Sequence, residues 1–190
     1  MRRSKPAIFL DRDGVLNEAV LCARKPYPPA TVADLKVYPD APSSLERLRR
    51  AGFLLVVVTN QPDIARGTVD LRTVMAIHHA LREQLPIDEI YVCDHDDADD
   101  CMCRKPRPGL LYRAVDDYDI DLLSSFLIGD RWRDIEAGAA AGCRTVWIDR
   151  KYDEAPPRHS PDARVTSLAD AVSWILEQQS RLTLGCVFPN

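Results

Sequence analysis

The stretch Ala7-Ile8-Phe9-Leu10-Asp11-Arg12-Asp13-Gly14-Val15-Leu16-Asn17 runs four apolar residues straight into two carboxylates spaced by one residue, then a glycine. A short, continuous apolar run of this kind predicts a strand buried on both faces of a parallel sheet. Gly14 lets the chain turn sharply as it leaves the sheet. Asp11 and Asp13 therefore fall at the carboxyl end of a central strand, where open α/β sheets bind their ligands. Two carboxylates this close repel each other and call for a cation, a shared proton or both. Unpaired carboxylates are costly in a protein interior. The pair is a poor core element and a good holder of a divalent metal beside a nucleophile.

Working outward, apolar runs alternate with helical patterns. Ser43 or Ser44 can cap a helix whose stripe includes Leu45, Leu48 and Ala51 and which Gly52 ends. Phe53–Val58 is a buried strand broken by Thr59-Asn60-Gln61-Pro62. A helix from about Val69 to Gln84, a strand at Ile90–Val92 and a helix over Pro108–Tyr118 follow. Then come a strand at Ser125–Ile128, a helix from Asp134 to Ala141 closed by Gly142, a strand at Thr145–Ile148 and an amphipathic helix from Ser167 to about Gln179. The order βαβαβαβαβ implies an α/β fold, a central parallel sheet with helices on both faces and right-handed crossovers. Residues 1–180 read as one domain with a loop at 93–103 inserted, and 181–190 as a loose tail. Between Glu18 and Pro42 the prolines Pro26, Pro28, Pro29 and Pro39 exclude a long helix. A long irregular connection at the carboxyl end of such a strand reads as a functional flap.

At 190 residues, 46% hydrophobic and 28% charged, the chain is suited to one globular domain with a real core. A net charge of −4 gives no footing for a nucleic-acid or anionic-membrane partner. The basic start (Arg2, Arg3, Lys5) meets Pro6 too soon for a signal peptide, and no apolar run approaches the ~20 residues of a membrane span. A cytoplasmic protein is expected, without a disulfide framework for its six cysteines. A monomer is favoured, although the last helix could pack on a neighbour.

Several strands end in polar residues on one edge of the inferred sheet. The first delivers Asp11 and Asp13, the second Thr59 and Asn60, and the fourth Asp130, with Asp134 a helical turn later; Arg104-Lys105-Pro106 precedes a helix. Taken singly, Asp130 and Asp134 would be helix N-terminal charges, Lys105 a surface lysine and Thr59 a strand-end cap. Taken together, this order resembles the haloacid-dehalogenase (HAD) superfamily. Its hhhhDxDx motif looks like Ile8 to Gly14, its apolar strand ending in Thr or Ser like Leu54 to Thr59, its lysine ahead of a helix like Lys105, and its GDxxxD like Gly129 to Asp134.

The resemblance implies a Rossmann-like fold without a large cap domain, and a magnesium-dependent phosphomonoester hydrolase working through an aspartyl-phosphate. Asp11 would be nucleophile and Mg²⁺ ligand, with Asp130 a second carboxylate ligand and the backbone carbonyl of Asp13 a third. The Asp13 side chain would protonate the leaving alkoxide and then take a proton from the hydrolytic water. Thr59 and Lys105 would receive the phosphoryl oxygens. Asp134 would orient Lys105 or a metal-bound water.

Cys93-Asp94-His95 and Cys101-Met102-Cys103 put four soft or borderline ligands on two arms of one loop, the composition of a closed structural zinc site. Thiolates and imidazole suit Zn²⁺ and not Mg²⁺, so this metal is distinct from the catalytic one. Asp94, Asp96, Asp97, Asp99 and Asp100 between the arms read as a solvated acidic loop. This loop, with DRDGVLN and TNQPDIARG, resembles the branch of the superfamily acting on heptose bisphosphate or histidinol phosphate. By that resemblance Asn17, Asn60, Gln61, Arg66 and Arg104 would touch the substrate, a small phosphorylated metabolite. Arg104 could grip a second phosphate, which favours a sugar bisphosphate. Departures from the branch fall after Asn17, at Pro62-Asp63 and in the short loop between His95 and Cys101. A phosphoacceptor signalling domain also carries Asp, Thr and Lys on a parallel sheet. Asp13, the GDxxxD element and the cysteine loop argue against it.

Overall fold

A computed structural model describes residues 4–185. In chain order the strands and main helices are β1 (Ala7–Leu10), β2 (Val20–Cys22), β3 (Lys25–Tyr27), α1 (Ala41–Arg50), β4 (Leu54–Asn60), α2 (Leu71–Gln84), β5 (Glu89–Cys93), α3 (Gly109–Tyr118), β6 (Phe126–Gly129), α4 (Trp132–Ala141), β7 (Arg144–Ile148), β8 (Ala163–Val165) and α5 (Leu168–Gly185). Six strands form one sheet in the order β5-β4-β1-β6-β7-β8, every neighbouring pair parallel. The connection from β1 goes to one side and later strands fill the other, so the carboxyl end of β1 is the switch point of the sheet.

The period-2 alternation of the strands divides the core in two. Ile8, Leu10, Leu55, Val57, Phe126 and Ile128 face a layer containing Leu45 and Leu48 of α1, Ile77 and Leu81 of α2, and Val172 and Ile175 of α5. Ala7, Phe9, Val56, Val58 and Leu127 face Leu110, Leu111 and Ala114 of α3. Each large side chain fully buried here contributes about 1.5–3 kcal/mol. This two-sided cover is what the continuous apolar runs predict. No helix among the described residues is long and apolar enough to cross a membrane.

Three readings need correction. The stretch after Glu18 is not wholly irregular: β2 and β3 pair antiparallel, Cys22 opposite Lys25, through a two-residue turn in which Ala23 and Arg24 have φ of 48° and 61°. That left-handed pair is the conformation Asn-Gly usually signals, and Ala-Arg gives no such signal. The sheet has a sixth strand, β8, too short and too polar to stand out; it pairs with β7 through Trp147 and Arg164. The tail expected to be loose is helical as far as Gly185, because no proline or glycine interrupts residues 180–184, and the Ser180 hydroxyl bonds back to the Leu176 carbonyl at 2.9 Å. Residues 186–190, Cys186 among them, lie outside the described residues.

Helix starts also shift. Neither Ser43 nor Ser44 caps α1, which begins at Ala41 with Pro42 tolerated in its first turn. Asp40 precedes it and lends its carboxylate instead to the Ala169 amide of α5, at 3.0 Å. Helix α4 starts at Trp132, two residues before Asp134.

Helix α4 crosses the sheet at Gly138, where a Cβ would lie 2.5 Å from Thr145 Cγ2 and 3.2 Å from Leu127 Cβ. Gly138→Ala should therefore keep the fold in far-UV circular dichroism but lower unfolding free energy by about 1–3 kcal/mol in urea titration. An unchanged midpoint would show that this crossing is looser than the contact distances require.

Candidate active site

The carboxyl ends of β1, β4 and β6 converge on one buried ammonium. Lys105 Nζ donates to Asp11 Oδ1 at 2.7 Å and to the Val58 carbonyl at 2.6 Å, and it lies 2.6 Å from Asp134 Oδ1. The lysine side chain is only 2% exposed, and burial alone would depress it. The Asp11 and Asp134 charges outweigh that penalty and hold it above the ordinary lysine range. Lys105 is set by its backbone: the Asn60 side chain donates to its carbonyl at 3.0 Å and accepts from its amide at 3.1 Å. Asp134 works twice, its other oxygen accepting from the Arg131 amide at 3.0 Å and capping α4.

Asp11, Asp130 and Asp134 each bring one carboxylate oxygen to within 4.8 Å of the others. Burial pushes Asp11 up to about 6; Lys105 pulls it down, and Asp134 and Asp13 push it up. Asp130 is raised well above the usual carboxylate range by burial, then by Asp11 and Asp134. Both Asp130 oxygens are buried and neither meets a partner at full hydrogen-bond geometry, although the Tyr152 hydroxyl stands near enough to draw the Asp130 pKa down in part. Gly14, with φ of +90°, completes this corner: a Cβ there would lie 1.8 Å from Asp130 Oδ2 and 2.8 Å from the Tyr152 hydroxyl. Such a set of hard, underpartnered oxygens fits a divalent cation of the magnesium type.

Asp13 is held differently. The Arg12 guanidinium grips it with Nε at 3.0 Å and Nη2 at 2.8 Å, Asn17 Nδ2 donates to it at 2.9 Å and Gln61 Nε2 at 3.0 Å. Burial raises its pKa, but the Arg12 charge and these hydrogen bonds win, so the carboxyl sits below its ordinary value. Asn17 and Gln61, expected to touch substrate, are buried and turned onto Asp13; Gln61 also donates to the Thr59 hydroxyl at 2.9 Å. Asn60 lines the cavity, but its amide is committed to Lys105.

Above this floor opens a cavity of about 260 Å³. Lys25, Arg66, Arg104, Arg131 and Arg133 line it, with Asp63, Asp97 and Glu154 among them, and the β2–β3 hairpin contributes Lys25, Pro26 and Tyr27. Arg66 forks onto Asp96 at 2.7 and 2.6 Å; Arg104 Nε and Arg133 Nη1 meet one oxygen of Asp97 at 2.8 and 3.2 Å. Asp96 and Asp97 are therefore not simply solvated acids, as the charge run suggested. Two of these partners, Arg66 and Arg133, come from distant segments that no local pattern reveals.

Cys93, at the end of β5, lies with Cys101, Cys103 and His95 in one cluster. The Sγ–Sγ separations are 3.2, 3.4 and 3.6 Å, and His95 Nδ1 is 3.4 Å from Cys103 Sγ and 3.8 Å from Cys93 Sγ. All three cysteines are free thiols. Four such donors at these spacings fit the edges of a tetrahedral metal site. The Gln61 amide donates to the Cys93 carbonyl at 2.7 Å, tying this cluster to the strand end that carries Thr59 and Asn60.

Residues missed in the sequence also frame the site. Arg131, paired with Glu154, and Arg133 occupy the variable positions of the GDxxxD element, so their place beside Asp130 was readable. Tyr152 and Glu154 follow β7 in a segment without motif, and His78 gave no signal beyond its place in a helix.

Comparison with known proteins agrees with this geometry. A family model described as HAD-hydrolase-like matches residues 102–171. The D-glycero-D-manno-heptose-1,7-bisphosphate 7-phosphatase of Thermosynechococcus vestitus is 33% identical over 90% of this chain and 95% of its own. The corresponding Bordetella bronchiseptica protein is 38% identical over 74% of this chain and 78% of its own. A crystal structure of D,D-heptose 1,7-bisphosphate phosphatase from B. bronchiseptica, complexed with magnesium and phosphate, superposes with a TM-score of 0.78 at 32% identity, covering 91% of this chain and 99% of that one. A putative HAD-like phosphatase from Mesorhizobium loti gives 0.70 at 30% identity over 90% of this chain and 86% of that one.

Buried His78 makes stability depend on pH. Burial, then the Arg12 charge, holds its imidazole down to about 4 from 6.5, with Arg82 adding to the effect and Asp13 opposing it. Between those values the unfolded chain binds a proton that the folded protein refuses, so stability falls as pH drops from 6.5 to 4, by about 3 kcal/mol in total. Urea midpoints measured across this range should fall less steeply for His78→Gln than for the parent. Parallel slopes would remove His78 as the cause.

Proposed function

The chain belongs to the HAD-like phosphatases, and from that premise we propose that it removes one phosphate from a small sugar bisphosphate, D-glycero-D-manno-heptose 1,7-bisphosphate or a near relative, through an aspartyl-phosphate on Asp11. The observation that carries this reading is the Asp11 carboxylate beside a buried lysine and an underpartnered Asp130, on the floor of a cation-lined cavity. Charges of the two signs balance over the whole cavity lining, but away from the floor Lys25 and four guanidiniums, Arg66, Arg104, Arg131 and Arg133, gather on the wall, and their bidentate donors support a second anionic group on the substrate over the amine of histidinol phosphate.

Asp11 and Asp130, with the Asp13 backbone carbonyl, would hold Mg²⁺. A cation bound there supplies the positive charge that lets a carboxylate approach a phosphate dianion. Asp11 attacks phosphorus, and the bond from phosphorus to the ester oxygen breaks. The Asp13 proton passes to that oxygen as it leaves. In the second half-reaction Asp13 takes a proton from the water that opens the acyl phosphate, and that proton serves the next turnover. The charge of an arriving phosphate raises the Asp13 pKa toward its acid form, against the pull of Arg12. Lys105 and the Thr59 hydroxyl meet the phosphoryl oxygens, and Asp134 keeps the lysine charged and aimed.

The cysteine cluster would hold Zn²⁺, fixing the two arms from which Arg104 and Lys105 emerge. Its effect is on position, not on chemistry.

Asp11→Asn should abolish turnover of both an aryl phosphate and heptose bisphosphate. Asp13→Asn should lower kcat by about 10² or more while phosphorylated protein accumulates in rapid-quench mass spectra. Full turnover by either variant would end the assignment. Turnover of histidinol phosphate ahead of the bisphosphate, in a panel of purified substrates, would transfer the substrate reading to the amine.

Cys103→Ser should lose zinc in elemental analysis and lower kcat roughly tenfold. A zinc-free variant of full activity would reduce the cluster to a fold element.

A further inference from the structure

Arg12 and His78 are buried, and neither lines the cavity. A buried guanidinium must satisfy its donors within the protein. Two edges of the Arg12 group grip Asp13, through Nε at 3.0 Å and Nη2 at 2.8 Å. The remaining nitrogen, Nη1, lies 2.9 Å from His78 Nε2. Guanidinium can only donate, so Nε2 is the acceptor, and the imidazole is neutral with its proton on Nδ1. His78 projects from α2, a helix anchored in the core by Val74, Ile77 and Leu81. Arg12 is thus held at one end by a packed helix and at the other by the carboxylate that carries the proton.

We propose that His78 is a positioning residue for proton transfer by Asp13: its neutral imidazole fixes the Arg12 fork, and the fork fixes the carboxyl against the leaving oxygen. This rests on the acid–base role given to Asp13 above. Asn17 and Gln61 bind the same carboxylate, but neither side chain bonds the Arg12 guanidinium. With Nη1 lacking an acceptor, the guanidinium turns toward another one and its two contacts with Asp13 lose their alignment. The proton donor is then present but misplaced.

The leaving group distinguishes this role from a general loss of structure. An alkoxide needs the Asp13 proton as the ester bond breaks, whereas a nitrophenolate leaves without it. The measured quantity is kcat/KM, which ends at expulsion of the leaving group and excludes hydrolysis of the phosphoenzyme. The parent, His78→Leu, His78→Gln and Asp13→Asn are compared on an alkyl phosphate and on p-nitrophenyl phosphate. His78→Leu removes the acceptor, and His78→Gln restores one in its side-chain carbonyl. The expected result for His78→Leu is a fall of roughly tenfold or more on the alkyl ester and less than about threefold on the aryl ester, with His78→Gln recovering most of the loss. Equal losses on both esters, or no recovery in His78→Gln, would overturn the role of His78. If Asp13→Asn itself shows no such leaving-group dependence, the acid role of Asp13 fails and this inference fails with it. A steep dependence in Asp13→Asn and none in His78→Leu overturns the His78 role alone.

Discussion

A single ammonium, Lys105 Nζ, sits almost wholly buried between Asp11 at 2.7 Å and Asp134 at 2.6 Å, and a third carboxylate, Asp130, stands beside them without a partner at full hydrogen-bond geometry. Three acids against one lysine leave two negative charges in excess if all are ionised. Burial makes that excess expensive, which is why Asp11 is driven to about 6 and Asp130 well above its usual value, although Tyr152 and then Arg131 relieve part of the load on Asp130. Buried ion pairs rarely add much stability over apolar packing, while removing one partner typically costs about 3–5 kcal/mol. Stability does not explain such a cluster. A shortage of positive charge kept at the switch point of a parallel sheet makes sense as the receptor for a cation and a phosphoryl group.

The fold holds this imbalance by giving each charged residue a second duty. Asp134 caps α4 with one oxygen and meets Lys105 with the other. Asn60 ends β4 and clasps the backbone of Lys105 on both sides, so a residue 45 positions away is tied to the strand edge. Gly14 gives up its side chain so that the turn after β1 can lie against Asp130. The Arg12 fork draws Asp13 into a well-hydrogen-bonded state, while Asp11, two residues earlier, is left in the electrostatically strained one. Two neighbouring carboxylates on one turn are thereby pushed in opposite directions, Asp11 toward its acid form and Asp13 toward its ionised form; a cation held by Asp11 and Asp130 would pull the first down, and the charge of an arriving phosphate would push the second up.

The strand ends were legible because burial on both faces forces continuous apolar runs, and a carboxylate immediately after such a run is conspicuous. Asp11, Asp13 and Asp130 stand at such breaks, Lys105 is marked by its place ahead of a helix, and the cysteine cluster has its spacing printed in the chain. The β2–β3 hairpin was hidden because Ala23 and Arg24 adopt a left-handed turn without the residues that favour it. β8 escaped because three residues at a sheet edge carry almost no period. Their place in the motifs points Asn17 and Gln61 at substrate, while in the structure both side chains donate to Asp13. Both are polar residues near a motif, and only three-dimensional placement separates a side chain turned to the cavity from one bonded to a neighbouring carboxylate. The pairing of Asp96 with Arg66 and of Asp97 with Arg133 was invisible for a related reason, since an ion pair across 30 or more positions has no period.

That last pairing bears on how the cavity would select among phosphates. Arg104 and Arg133 share one carboxylate oxygen of Asp97, and Arg66 is forked onto Asp96, so these cations are already compensated before any ligand arrives. Both aspartates stand on the loop between the two arms of the cysteine cluster. The anionic end of a substrate reaches these guanidiniums by sharing them with, or displacing, a carboxylate of the protein's own. Such an exchange returns far less than binding to bare cations, because one charge-assisted contact is given up for each one formed. A cavity of this kind discriminates by fit more than by affinity: only an anion placed to replace the Asp97 oxygen between both guanidiniums recovers what is lost. The placement of the cysteine loop then matters directly, since it sets where Asp97 stands and so what shape of anion can take its place.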